Sequence, residues 1–140
     1  MRRVMVTGSR KWPIKYAPII RTVLAHDYQE TFKDNDPNDS DYVVVHGGAL
    51  QGVDIFTSNW VMLRAVTEEV HLPDLKKYGS PQAYHQRNWE MASSEPDFAF
   101  VFFYNRLKGY SRGTDSAYQQ ILRYQVPHKV FSIDDLGDAI

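Results

Sequence analysis

Twice in this chain a short apolar run stops at glycine: Val4-Met5-Val6-Thr7-Gly8-Ser9-Arg10, and Val43-Val44-Val45-His46-Gly47-Gly48, which continues Ala49-Leu50-Gln51-Gly52-Val53-Asp54. A buried strand that ends in Gly-Ser or Gly-Gly and gives way to a helix leaves backbone N–H groups free to hold an anion. Two such turns predict a pocket for a phosphate-bearing ligand. The rest of the chain alternates in the same way. Strands are expected at 3–7, 42–46, 68–72, 98–104 and 128–132, short runs rich in Val and Phe and mostly apolar on both faces, as a covered parallel sheet requires. Between them, Ile20, Val23, Leu24 and Tyr28 make one helical stripe, and Val53, Phe56, Trp60 and Leu63 a second. Ser80-Pro81 reads as the cap and first position of a third, with Tyr84, Arg87 and Met91 on one face, and Ala117, Ile121 and Leu122 belong to a fourth. The expected fold class is α/β, a three-layer sandwich around a five-stranded parallel sheet of order 3-2-1-4-5, in one domain over residues 1–140.

Composition removes several function classes. A net charge of −1 over 140 residues gives no general attraction to a polyanion, so extended nucleic-acid binding is not expected. The chain has no Cys, which excludes disulfides, thiolate nucleophiles and Cys-based zinc sites and suits a cytoplasmic protein. No signal peptide or membrane span is visible. His26, His46, His71, His85 and His128 form no pair at helical ligand spacing, so no metal site is expected. The acidic stretch 33–41 lacks the central Gly and closing Glu of an EF-hand loop and reads as a solvated connection. The first turn has a single Gly, the second strand ends in His46 and not an acid, and no Gly-Lys-Ser/Thr loop occurs, so neither NAD nor ATP hydrolysis is indicated and no cofactor is expected.

Ligands of an open parallel sheet bind beyond the carboxyl ends of its strands, where the strand order reverses. The expected order opens that crevice between the first and fourth strands. The turn at Gly8-Ser9-Arg10 would then face the loop 105–114, and Gly47-Gly48 would flank the same crevice.

Val6-Thr7-Gly8-Ser9-Arg10, His46-Gly47-Gly48 with Gly52-Val53-Asp54, Lys77-Tyr78-Gly79, Arg87-Asn88 with Met91, and Ser111 with Gly113-Thr114 occur in an order that resembles the YspA-like proteins of the SLOG superfamily. That superfamily also holds the LOG phosphoribohydrolases and the DprA-type DNA-processing proteins. The resemblance runs from Met1 to about Ser132 and implies a Rossmann-like fold that binds nucleotides or nucleotide-derived ligands; such proteins are frequent in bacteria and their phages.

Carried over residue by residue, the resemblance makes Gly8 and Ser9 donors to a phosphate at the start of the first helix, with Arg10 adding a charge-assisted contact. It makes Gly47 and Gly48 the place where the ligand approaches the backbone, and places His46 and Gly52 among the ligand-binding residues. Gly48→Val is then expected to abolish binding and leave the fold largely intact. Asp54 is a candidate acceptor from ribose hydroxyls or a base amine, and equally a helix-start residue favoured by the dipole. Ser111, Gly113 and Thr114 would form a second phosphate nest opening the fourth helix, with Thr114 also readable as its N-cap. Arg87 and Asn88 would reach over the crevice to a phosphate or base edge. Trp12 either stacks on a base or closes the core, and His46 and His71 end neighbouring strands on the same side.

One departure bears on chemistry. The LOG hydrolases place a catalytic Glu three residues after the Thr of their Gly-Thr motif, whereas Gly113-Thr114 is followed here by Asp115, Ser116 and Ala117. Cleavage of an N-glycosidic bond needs a placed carboxylate, for which Asp54 or Asp115 is the candidate substitute, Asp54 the first of the two. The leading expectation is a binding module with a sensor, sequestering or carrier role. A nucleotide-processing hydrolase is the alternative, and single-stranded DNA binding a third. The expected partner is a small nucleotide-type ligand, not a membrane, and a homo-oligomer is compatible with all of these features.

Overall fold

The computed structural model describes residues 1–34, 41–104 and 112–133. Five strands, β1 (Arg2–Gly8), β2 (Tyr42–His46), β3 (Thr67–Val70), β4 (Phe98–Phe103) and β5 (His128–Ser132), form one sheet in the order β3-β2-β1-β4-β5. Every pairing is parallel. The helices are α1 (Ala17–Thr31), α2 (Val53–Arg64), α3 (Leu75–Tyr78), α4 (Gln82–Ser93) and α5 (Arg112–Arg123). The chain is therefore a Rossmann-like α/β sandwich with the strand order expected from its alternation.

Successive side chains of a strand point to opposite faces, and both faces here are apolar. Val4, Val6, Tyr42, Val44, Phe100 and Phe102 pack against Ile20 and Leu24 of α1 and Val53 and Trp60 of α2. On the other side Met5, Val43, Val45, Ala99, Val101 and Phe103 meet Met91 and Ala92 of α4 and Ala117 and Ile121 of α5. Burial on both sides explains the near-continuous apolar runs.

Three details depart from the expected boundaries. β3 lies at one end of the sheet, is four residues long, and is largely exposed, so its Thr-Glu-Glu-Val sequence carries less apolar character. α3 is an additional turn of helix, capped by the Asp74 side chain, which accepts from the Lys77 amide. α4 starts at Gln82 with Pro81 in the cap position, after a cis Ser80–Pro81 bond, so Pro81 is not the first helical residue. Most of the acidic connection 33–41 lies outside the described residues.

At the amino ends of the strands, Arg2 makes a two-point ion pair with Asp27 of α1, at 3.0 Å from Nε and 2.7 Å from Nη2. The Tyr42 hydroxyl donates to the same carboxylate at 2.7 Å. Burial raises the Tyr42 phenol far above its ordinary range, and the adjacent Asp27 carboxylate pushes it the same way. Tyr42→Phe should cost about 1 kcal/mol in denaturant unfolding, the scale of one hydrogen bond. An unchanged midpoint would mean that the Arg2–Asp27 pair holds α1 to the sheet unaided.

Candidate functional site

Because all strands run parallel, the segments after β1, β2 and β3 emerge on one side and meet there. They enclose a cavity of about 440 Å³ with α4 as its further wall. Arg10 comes from the segment after β1, Gly47 to Gln51 follow β2, Pro73 follows β3, and Tyr84 and Arg87 project from α4. The cavity therefore sits over β1, β2 and β3, whereas the expected crevice lay between β1 and β4. Of the loop 105–114 expected on the β4 side, only Arg112 onward is described.

The first turn is built for packing. The Ser9 amide donates to the Phe102 carbonyl at 3.1 Å, and the Ser9 hydroxyl accepts from the Lys11 amide at 3.0 Å. Ser9 is buried, and α1 begins only at Ala17, after a 3-10 turn at Ile14–Tyr16. The cradle expected from Gly8 and Ser9 at the start of the first helix is accordingly not formed. The Ser9 carbonyl instead accepts from the Val53 amide at 3.1 Å and so caps α2. A side chain on Gly8 would meet Val53 and the Phe102 carbonyl. Trp12 is 2 % exposed, donates its indole N–H to the Tyr16 carbonyl and packs edge-on against Phe102. It closes the core.

The second turn approaches protein in the same way. A Cβ on Gly47 would fall on the Arg87 guanidinium, and one on Gly48 would lie 2.7 Å from both Val70 and Leu72. Gly48 also has a φ of +74°, so Gly48→Val would disturb the fold itself, contrary to the expectation that it would act on the ligand alone. At Gly52, with φ of +72°, a Cβ would strike the Ser9 carbonyl and lie 2.6 Å from the Arg10 Cα. His46 is buried between Glu68 and the Gly48 amide. It does not line the cavity. His71 pairs with Glu69 at 2.7 Å.

Arg87 is the best-anchored charge at the cavity. Its Nη1 donates to the Gly47 carbonyl at 2.8 Å and its Nε to Asn88 Oδ1 at 2.9 Å. Asn88, 2 % exposed, donates from Nδ2 to Ser116 Oγ at 3.3 Å and the Gly113 carbonyl at 3.4 Å. Asn88 therefore fixes Arg87 from α5 and does not face the cavity. Gly113 and Thr114 stand in the first turn of α5, Thr114 buried and Gly113 exposed; Thr114 is inside the helix and not its cap. Ser111 lies outside the described residues.

Tyr84, three residues before Arg87 and so on the same helical face, was missed as a site residue although that spacing is plain in the sequence. Arg10 lies 5.2 Å from its ring centroid and Arg87 5.7 Å. Among the described residues, neither guanidinium has a carboxylate within 4 Å. Burial lowers the Arg87 pKa, Asp54 opposes that shift, and the Arg10 charge adds to it. An anion between the two would relieve their repulsion.

Asp54 is 8 % exposed in the first turn of α2, where its Oδ2 accepts from the Ala49 amide at 3.1 Å. Burial raises its pKa, and the Ala49 hydrogen bond, His46, Arg87 and Arg10 oppose that shift without cancelling it. A carboxyl raised in the folded state destabilises the fold while ionised and ceases to do so as pH falls through the folded pKa. Asp54→Asn keeps the acceptor for Ala49. It should raise the melting temperature at neutral pH, with the gain vanishing at acid pH. A gain that persists in acid would refute this.

No group of His, Asp and Glu among the described residues is arranged to hold a metal ion. No family model matches the chain, and no match was found among curated proteins or solved structures.

Proposed function

We propose that this protein belongs to the SLOG superfamily and binds a nucleotide or nucleotide-derived ligand in the crevice at the carboxyl ends of its strands, in a sensor, sequestering or carrier role in the cytoplasm. The reading rests above all on Arg10 and Arg87 flanking the Tyr84 ring on the wall of the cavity. Guanidinium groups make charge-assisted bonds to phosphate, and an aromatic ring offers a surface to a base. The cavity volume of about 440 Å³ falls within the range of small-molecule sites. No helix among the described residues is long and apolar enough to cross a membrane.

A second reading, hydrolysis of an N-glycosidic bond, is favoured by one observation: Asp54 is a buried carboxyl whose pKa burial raises, although Arg87 and Arg10 pull it down. Mass spectrometry of small molecules that co-purify with the protein, followed by chromatography of a nucleotide panel, tests both. Binding without turnover is expected. Free base released by wild type and not by Asp54→Asn would establish the hydrolase instead, and no binding of any phosphate ester would refute both readings.

A further inference from the structure

His46 ends a line of hydrogen bonds that runs to the cavity wall, and the anion-binding reading does not use it. The residue is 2 % exposed. The Gly48 amide donates to Nδ1 at 3.0 Å, so Nδ1 presents its lone pair and the ring proton sits on Nε2. Nε2 in turn donates to the Glu68 carboxylate at 2.8 Å. One residue beyond Gly48, the Ala49 amide is held by Asp54, and both glycine-loop residues line the cavity.

We propose that His46 is a proton-controlled positioning residue: neutral, it pins Gly48 and the cavity wall, and protonated, it releases them. A proton added at Nδ1 faces the Gly48 N–H, so two donors confront each other where a hydrogen bond had been, in a site closed to water. The charges around the ring come from three elements. Glu68 on β3 and Asp54 on α2 are the carboxylates, and Arg87 on α4, bound to the neighbouring Gly47 carbonyl, is the cation. Burial pushes the Glu68 carboxyl up, but hydrogen bonds from His46 and Ser58 outweigh it and leave it below its usual range. Glu68 is therefore held in its ionised form as the acceptor of the ring proton.

Heteronuclear NMR of the ligand-free protein, followed from neutral pH to the acid limit of the folded state, tests the latch. The Nε2–H tautomer is expected at neutral pH, with the Gly48 and Ala49 amides moving at the same midpoint as the ring. His46→Asn, whose Oδ1 can accept from Gly48 without titrating, should hold both amides at their neutral-pH positions throughout. An Nδ1–H tautomer, a Gly48 amide indifferent to the ring, or a ring that titrates only on unfolding would overturn the proposal.

The consequence for ligand rests on the anion-binding reading and is measured with inorganic pyrophosphate. Relative to His46→Asn, which carries the probe's own titration, wild-type affinity should fall about tenfold or more as His46 protonates, the scale of one buried hydrogen bond. The sign is diagnostic, because added positive charge alone would strengthen binding; an affinity that rises or stays level overturns the coupling. Pyrophosphate bound by neither protein would count against the anion site, and NMR would still decide the latch.

Discussion

Replacing Gly52 by alanine is expected to lower the melting temperature by about 10 °C or more, corresponding to roughly 3 kcal/mol for a domain of this size. Two effects combine. The backbone at Gly52, with φ of 72° and ψ of −140°, is close to a region that only glycine enters freely. A methyl group there also meets the Ser9 carbonyl and the Arg10 backbone. The first turn cannot retreat without losing the Ser9 carbonyl that caps α2 through the Val53 amide. Gly113→Ala is the control: nothing lies within 4 Å of its Cβ, and it occupies a helical position. That variant should be neutral or gain up to about 1 kcal/mol. Equal melting temperatures for the two variants would refute the close contact of the first two turns.

Arg87→Ala should weaken binding of a phosphate-bearing probe such as AMP by about 10- to 100-fold, as loss of a charge-assisted hydrogen bond requires. Arg10→Ala should lose less. Arg10 is exposed and pays more ordering entropy, whereas Arg87 is held in place by Gly47 and Asn88 before any ligand arrives. Asn88→Ala should therefore weaken binding as well, although Asn88 never touches the cavity. Calorimetry on folded variants decides this. An Arg87→Ala protein with wild-type affinity would remove the site from this part of the molecule.

The alternation of apolar runs and helical stripes made the sheet and its order legible, because a strand covered on both faces has few ways to be written. The glycines were legible only as turns. A sequence shows that a side chain is excluded at Gly8, Gly47 or Gly52, but not what excludes it, and in each case the neighbour is protein. The fate of Ser9 was hidden for the same reason, since its amide is taken by Phe102, 93 residues away in the chain. Trp12 gave no local sign that its indole N–H would find the Tyr16 carbonyl. Arg87 was identified as a site residue, while Asn88 beside it turned inward to α5. Tyr84 could have been found from its spacing to Arg87.

The exposed strand β3 bears on how copies of this chain can meet. As the end strand of the sheet it is a template on which a second sheet could extend the first. Two copies joined antiparallel along β3 with the two-fold at Glu68 or at Glu69 bring Glu68 opposite the Glu68 of the second copy, or Glu69 opposite Glu69. Like charges directly across a strand pair are unfavourable. Each carboxylate is already bound within its own molecule, Glu68 to His46 and Glu69 to Arg3 and His71. The contacts that orient the second turn thus also disfavour these two registers for joining sheets along this rim.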